Sequence, residues 1–308
     1  MATGWKRTVE RLAARSGLTR AWARLAVPST AILAYHNIVP HGEPAAGDVS
    51  LHVDQRAFGD QLDFLLEWGD IVPLDTLSSD TVSRAGRGAR RPQIVVTFDD
   101  AYRGTMTAGV EELRARGVAG TVFVPPGLLG LHAFWWDTLA PAGGGPLADK
   151  VRDHALGPLA GRQGSILEWA VSERIPVSDI PEHACPCDEA SLLRGASYEP
   201  LTLGAHTWSH PNLARVPLEE SRNELLRCRS WLAERAPRYL DWLAYPYGLR
   251  TGETVALASE HFAGALLVDG GLARAHGKGR PRREVPRINV PRGLTLEGLA
   301  LRLAGLLA

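Results

Sequence analysis

The chain has 308 residues, with 45% apolar and 22% charged residues, an ordinary globular composition that excludes intrinsic disorder. Thirty-four basic residues balance thirty-four acidic ones, so no excess of positive charge supports general nucleic-acid binding. Three cysteines, Cys185, Cys187 and Cys228, are too few for a disulfide framework. No apolar run reaches about 18 residues, which excludes a spanning helix. The N-terminus lacks an uninterrupted apolar stretch and a small-residue cleavage site, so a cytoplasmic protein is expected.

Taken in chain order, residues 5–25 predict an amphipathic helix in which Trp5, Val9, Leu12, Trp22 and Leu25 share one side. Packing on the domain is its expected role, and weak peripheral membrane contact is the alternative. Pro28 ends it. The run 31–36 (AILAYH) predicts a buried strand, 57–69 a helix stopped at Gly69, 84–92 a surface loop, and 93–100 (QIVVTFDD) a strand ending in two carboxylates. A helix over 106–117 and a strand over 119–126 complete a parallel strand–helix–strand unit. Residues 131–200 are less regular and predict an insertion over the domain face, with a helical patch near 165–173. Strands follow at 201–206, 263–268 and 285–290, and 241–248 reads as a strand then a turn. Helices fall at 218–235, 253–262 and 294–308.

Repeated strand–helix units favour an α/β fold with a mostly parallel sheet, closed or nearly closed into a barrel. The expected organisation is an N-terminal helix over 1–28, a barrel over 29–293 and a C-terminal helix over 294–308. In such folds ligands gather at the carboxyl ends of strands, where Asp99, Asp100, His206 and Tyr247 all fall.

Adjacent aspartates after a buried strand need a cation or an arginine if both are buried; an exposed helix N-cap is the competing reading. His206 and His210 stand four apart just after a strand. A helical turn there would aim both imidazoles at one metal. With Asp100 they make an Asp/His/His set suited to zinc or another borderline divalent ion, with a position left open for water.

These residues resemble the polysaccharide deacetylases of the NodB-homology type, which are metal-dependent carbohydrate esterases. TFDD (97–100), HTWSH (206–210) and AYPYG (244–248) match the family's first three motifs in order, and the likeness runs from about Ile32 to Val290. The resemblance implies a distorted (β/α) barrel of the NodB type and hydrolytic N-deacetylation of an N-acetylated sugar. Zn2+ is the implied metal, with Ni2+ or Co2+ as alternatives. Asp99 would be the general base, and Asp100, His206 and His210 the metal ligands. Tyr247, beside Pro246, would offer an oxyanion-holding backbone N–H.

Two departures from the family pattern stand out. Many members carry an arginine where this chain has Ala244, and Arg287 is the candidate to replace its charge. The family's C-terminal Leu-x-His is absent after the third motif, whereas LAYH (33–36) matches it near the N-terminus. This is similar to the permuted poly-N-acetylglucosamine deacetylase branch and implies His36 as general acid. Trp135, Trp136 and Trp208 are candidate sugar-packing aromatics, with core packing the alternative for Trp208. His52 reads as a loop residue, with a further polar group at the mouth as the alternative. Cys185 and Cys187, with His183, read as a flexible surface segment rather than a second soft-metal site. Hydrolysis of a non-sugar amide and an inactive sugar binder are the competing functions.

Overall fold

The computed structural model describes residues 30–77, 91–273 and 284–307. The expected N-terminal helix and most of the 84–92 loop lie outside the described residues. The chain begins with β1 (Thr30–Tyr35), then β2 (Asn37–Val39) and β3 (His52–Asp54), which form a small parallel pair, then α1 (Gln55–Trp68) and β4 (Asp70–Ile71). β5 (Gln93–Phe98), α2 (Val110–Arg116) and β6 (Gly120–Val124) follow. Four helices separate β6 from the next strand: α3 (Trp135–Thr138), α4 (Asp149–Leu156), α5 (Gln163–Ser172) and α6 (Glu189–Ala196). The chain continues through β7 (Leu201–Ala205), α7 (Leu218–Arg235), β8 (Tyr239–Ala244), α8 (Gly252–His261), β9 (Gly264–Gly270), β10 (Val285–Asn289) and α9 (Leu296–Leu303).

Seven of these strands close a parallel barrel in the order β1-β10-β9-β8-β7-β6-β5, because β1 pairs with both β10 and β5. The β4 strand adds to the start of β5. Continuous apolar runs such as AILAY and IVV suit strands covered on both faces.

Strand alternation sorts their side chains into two sets. Leu33, Ile94, Val96 and Phe98 share a core with Phe58, Leu62 and Leu65 of α1, Leu113 of α2 and Leu225 of α7. The intervening residues Ile32 and Val95 cluster instead with Phe123, Trp242, Ala244 and Leu266, and so fill the barrel interior. Thr97 and Asp99 continue that inward row.

The helices obey their local signals. The α1 helix buries Phe58, Leu62 and Leu65 on one face and stops at Gly69, whose N–H bonds to the Leu65 carbonyl. The α2 helix ends at Gly117, which takes the left-handed conformation (φ 63°) that a side chain disfavours.

Three short strands (β2, β3, β4) and the α3, α4 and α6 helices are additional to the sequence expectation. Residues 131–200 contain a separate core of Phe134, Trp135, Trp136, Leu139, Ile166 and Ala170. That core packs on Tyr102 and Tyr247, which stand just past the carboxyl ends of β5 and β8. Among the described residues, no helix is long and apolar enough to cross a membrane.

Candidate metal centre

At the carboxyl end of β5 the chain turns through two left-handed residues, Asp100 (φ 70°) and Ala101 (φ 56°). An alanine costs roughly 1–2 kcal/mol in that conformation, while an aspartate reaches it more readily, so the fold holds Ala101 there against its preference. At the end of β7, His206 is anchored by its N–H to the Val124 carbonyl. Residues 206–210 do not form the expected helical turn. They make a loop with left-handed residues at Thr207 (φ 63°) and His210 (φ 59°), and the Thr207 hydroxyl accepts the His210 N–H at 3.0 Å. The histidines converge by loop geometry instead.

Three ligand atoms from the two loops meet. His206 Nε2 lies 3.4 Å from Asp100 Oδ1, His210 Nε2 lies 3.2 Å from the same oxygen, and the two Nε2 atoms are 3.1 Å apart. Ligands about 2.1 Å from an ion sit roughly 3.0–3.4 Å from one another in octahedral or tetrahedral geometry. The cluster therefore has the dimensions of one face of a coordination shell.

The donor chemistry fits too. His206 Nδ1 faces the Ala244 carbonyl at 2.8 Å, which places the proton there and leaves the Nε2 lone pair pointing inward. Asp100 Oδ1 is buried without a hydrogen-bond partner. Lone pairs so close together are reconciled by a cation, and Asp100, His206 and His210 suit a divalent one. Burial would lower His206, but the nearby Asp99 and Asp100 carboxylates outweigh it and hold its pKa above the usual histidine value. Burial and the neighbouring His206 keep His210 below it.

Asp99 stays outside this triad. Arg287 grips it with two parallel bonds, 2.8 Å to Oδ1 and 2.6 Å to Oδ2. The arginine is fully buried, at 0% exposure. Its remaining donors reach Thr97 Oγ1 at 3.0 Å and the Leu267 carbonyl. Neighbouring Ile288 joins the outer core, so alternation turns Arg287 into the barrel. Burial pushes the Asp99 carboxyl up, but Arg287 overrides it and holds the group ionised below the usual carboxylate range.

His36 follows β1, whose register pairs Tyr35 with Phe98, and the Asp99 N–H bonds to the Tyr35 carbonyl. One step further along the same register sets His36 beside Asp99. Burial lowers the His36 pKa, and the opposing pull of Asp100 and Asp99 does not cancel it.

Tyr247 is left-handed (φ 56°) after Pro246; its ring centroid is 4.5 Å from that of His210, and its hydroxyl accepts the Trp135 indole N–H at 3.0 Å. Trp136 lies 5.0 Å from the His210 ring and stacks on Phe134. Trp135 is 1% and Trp136 5% exposed, so neither offers an open ring face to a ligand here. Trp208 carries the Arg227 guanidinium over its ring at 3.8 Å.

Two expectations change. His52 is no loop residue at the mouth: it ends up in β3, fully buried, with Nε2 2.9 Å from Asp137 Oδ1. Asp137 also accepts from Tyr102 and from the Asp48 N–H. Sequence reasoning missed this buried carboxylate because its partners lie up to 89 residues away. Nor are Cys185 and Cys187 a surface segment. They are buried, and Cys187 is pushed up to about 12 by that burial. Cys228, also buried, is raised further. We expect Cys187 and Cys228 to resist a thiol-reactive dye at pH 7 in the folded protein and to label fully in denaturant, because the thiolate is the reactive form. Rapid labelling of both in the native state would contradict their burial.

A family model described as polysaccharide deacetylase matches residues 86–263. No curated protein matches the chain. Among solved structures, the Streptococcus pyogenes deacetylase PplD aligns with 89% of this chain and 98% of its own, at 15% identity and a TM-score of 0.61. The polysaccharide deacetylase BC0361 from Bacillus cereus aligns with 89% and 69%, at 14% identity and 0.64. IcaB from Ammonifex degensii aligns with 90% and 97%, at 17% identity and 0.61. At such identities the likeness establishes a shared barrel. The family match spans more than half of the 308 residues, includes the Asp99–Asp100 and His206–His210 motifs, and makes this chain a member of the polysaccharide deacetylase family.

Proposed function

We propose that the protein is a metal-dependent hydrolase that removes the N-acetyl group from an amino sugar carried on a glycoside, a lipid or an oligosaccharide. The observation that carries this reading is the pairing of two carboxylates in different roles. Asp100 joins two imidazoles in a ligand cluster, while Asp99 is withheld from it by the Arg287 fork. A site that only bound sugar would have no use for an ionised carboxylate held beside a metal. Ala244, where many family members carry an arginine, does not leave Asp99 without a counter-charge, because Arg287 pairs with it.

The residues then divide the work. Asp100, His206 and His210 would hold a divalent ion, which when bound would supply Lewis-acid chemistry to water and to an amide carbonyl. Asp99 receives the proton of the attacking water. The backbone N–H of Tyr247 donates to the developing oxyanion. His36, on the strand next to Asp99, hands a proton to the leaving amine. The acetate in the PplD structure is the acid that such a hydrolysis releases.

The test is an acetate-release assay with purified protein on a panel of N-acetylhexosamine glycosides, oligosaccharides and simple acetamides, run after chelation and again after zinc is restored. Release from sugar substrates that chelation abolishes and zinc recovers is the expected outcome. Turnover of simple amides alone would move the assignment away from sugars, and turnover indifferent to chelation would remove the metal.

A further inference from the structure

The HTWSH loop holds a costly shape. Thr207 and His210 are both left-handed, each at roughly 1–2 kcal/mol for a residue with a side chain. Relaxing either one would swing an imidazole away from Asp100. The Thr207 hydroxyl closes the loop internally. Nothing inside the loop fixes Ser209, which lies between the two ligands.

Glu224, on α7, reaches Ser209 from outside. Its Oε2 accepts the Ser209 N–H at 2.7 Å and its Oε1 accepts the Ser209 hydroxyl at 2.7 Å. Both carboxylate oxygens are thus engaged by the loop, and the Trp208 N–H also points to this carboxylate. Burial pushes the Glu224 pKa up against the pull of these donors, so a carboxylate at this place is maintained at a cost. One turn further along α7, Arg227 covers Trp208. The rigid helix therefore grips two consecutive residues of the loop, and neither of them is a ligand.

We infer that Glu224 is a positioning residue for the metal centre: by clamping Ser209 it keeps the loop in the conformation that brings His206 and His210 onto one ion. This inference rests on the metal-binding reading of Asp100, His206 and His210. Groups that orient metal ligands from outside are commonly worth 10–100-fold in metal affinity.

The experiment measures zinc affinity of the full chain by competition with a chromophoric chelator, alongside thermal melting of the metal-free protein. Glu224→Ala is expected to weaken zinc binding about 10–100-fold. Ser209→Ala, which keeps the N–H bond, should lose less. The double variant should be no weaker than Glu224→Ala, because both act through one contact. Glu220→Ala, one turn earlier on α7 and paired instead with Arg162, should bind zinc as the parent does. If Glu224→Ala does not fold, Glu224→Gln and Ser209→Ala carry the test. Parental affinity in the folded Glu224 variants, or an equal loss in Glu220→Ala, overturns the clamp. A parent protein that binds no zinc overturns the metal centre itself, which is a separate result.

Discussion

Arg287→Met is expected to destabilise the protein by about 3–5 kcal/mol, because it strands the buried Asp99 carboxylate without its counter-charge. Acetate release should fall at least about a hundredfold, as expected for losing an ionised and oriented base. The reasoning follows from the opposing influences on Asp99. Burial alone would raise its pKa, and Arg287, with smaller help from His206 and His36, holds it down. Without Arg287 the carboxyl shifts toward its protonated form and loses its fixed orientation, so it accepts a proton from water less well. Arg287→Lys should recover part of the stability and less of the rate, because an ammonium restores charge but not the planar fork. Urea unfolding and the acetate assay, applied to both variants, check the two halves separately. A methionine variant as active as its parent would show that the fork has no part in turnover.

Asp99→Asn carries the other large effect. The replacement keeps the shape and one acceptor oxygen for Arg287 while removing the proton-accepting charge. The rate should drop by roughly 10²–10⁴-fold, with zinc content unchanged because Asp99 is not among the three ligands. His36→Ala should fall in the same range with the same retained metal, if its role is to protonate the leaving amine. Metal analysis beside the acetate assay separates these outcomes from Asp100→Ala, for which both metal and activity should disappear. An Asp99→Asn enzyme that keeps full activity would transfer the base role to another group.

The parts legible in sequence were those governed by local pattern. AILAY, QIVVTF and LTLGA read as strands because buried parallel strands need apolar residues on both faces. The 218–235 helix matched α7 to the residue, since its polar and apolar positions repeat at helical spacing. The motif residues Asp100, His206 and His210 lie together as the spacing suggested, but the turn that joins the histidines is not helical. What stayed hidden depends on distant contacts. Arg287 came into view only as a candidate for the family arginine's charge, and its two-bond grip on a carboxylate 188 residues earlier has no local signal in VPRINV. Glu224 reads as one more charge on an exposed helix face until α7 docks against the histidine loop. The pairing of His52 with Asp137, 85 residues apart and both fully buried, likewise has no local signal.

The strand that completes the barrel, β1, lies between β10 and β5 and leads directly into His36. Its last carbonyl also receives the Asp99 N–H. Shape and proton transfer are thereby coupled at a single seam. Any state in which this strand peels away loses the proposed proton donor from beside the acceptor at the same moment. A partly opened molecule would then be silent even with its ligand triad intact, and turnover would report whether the cylinder is shut.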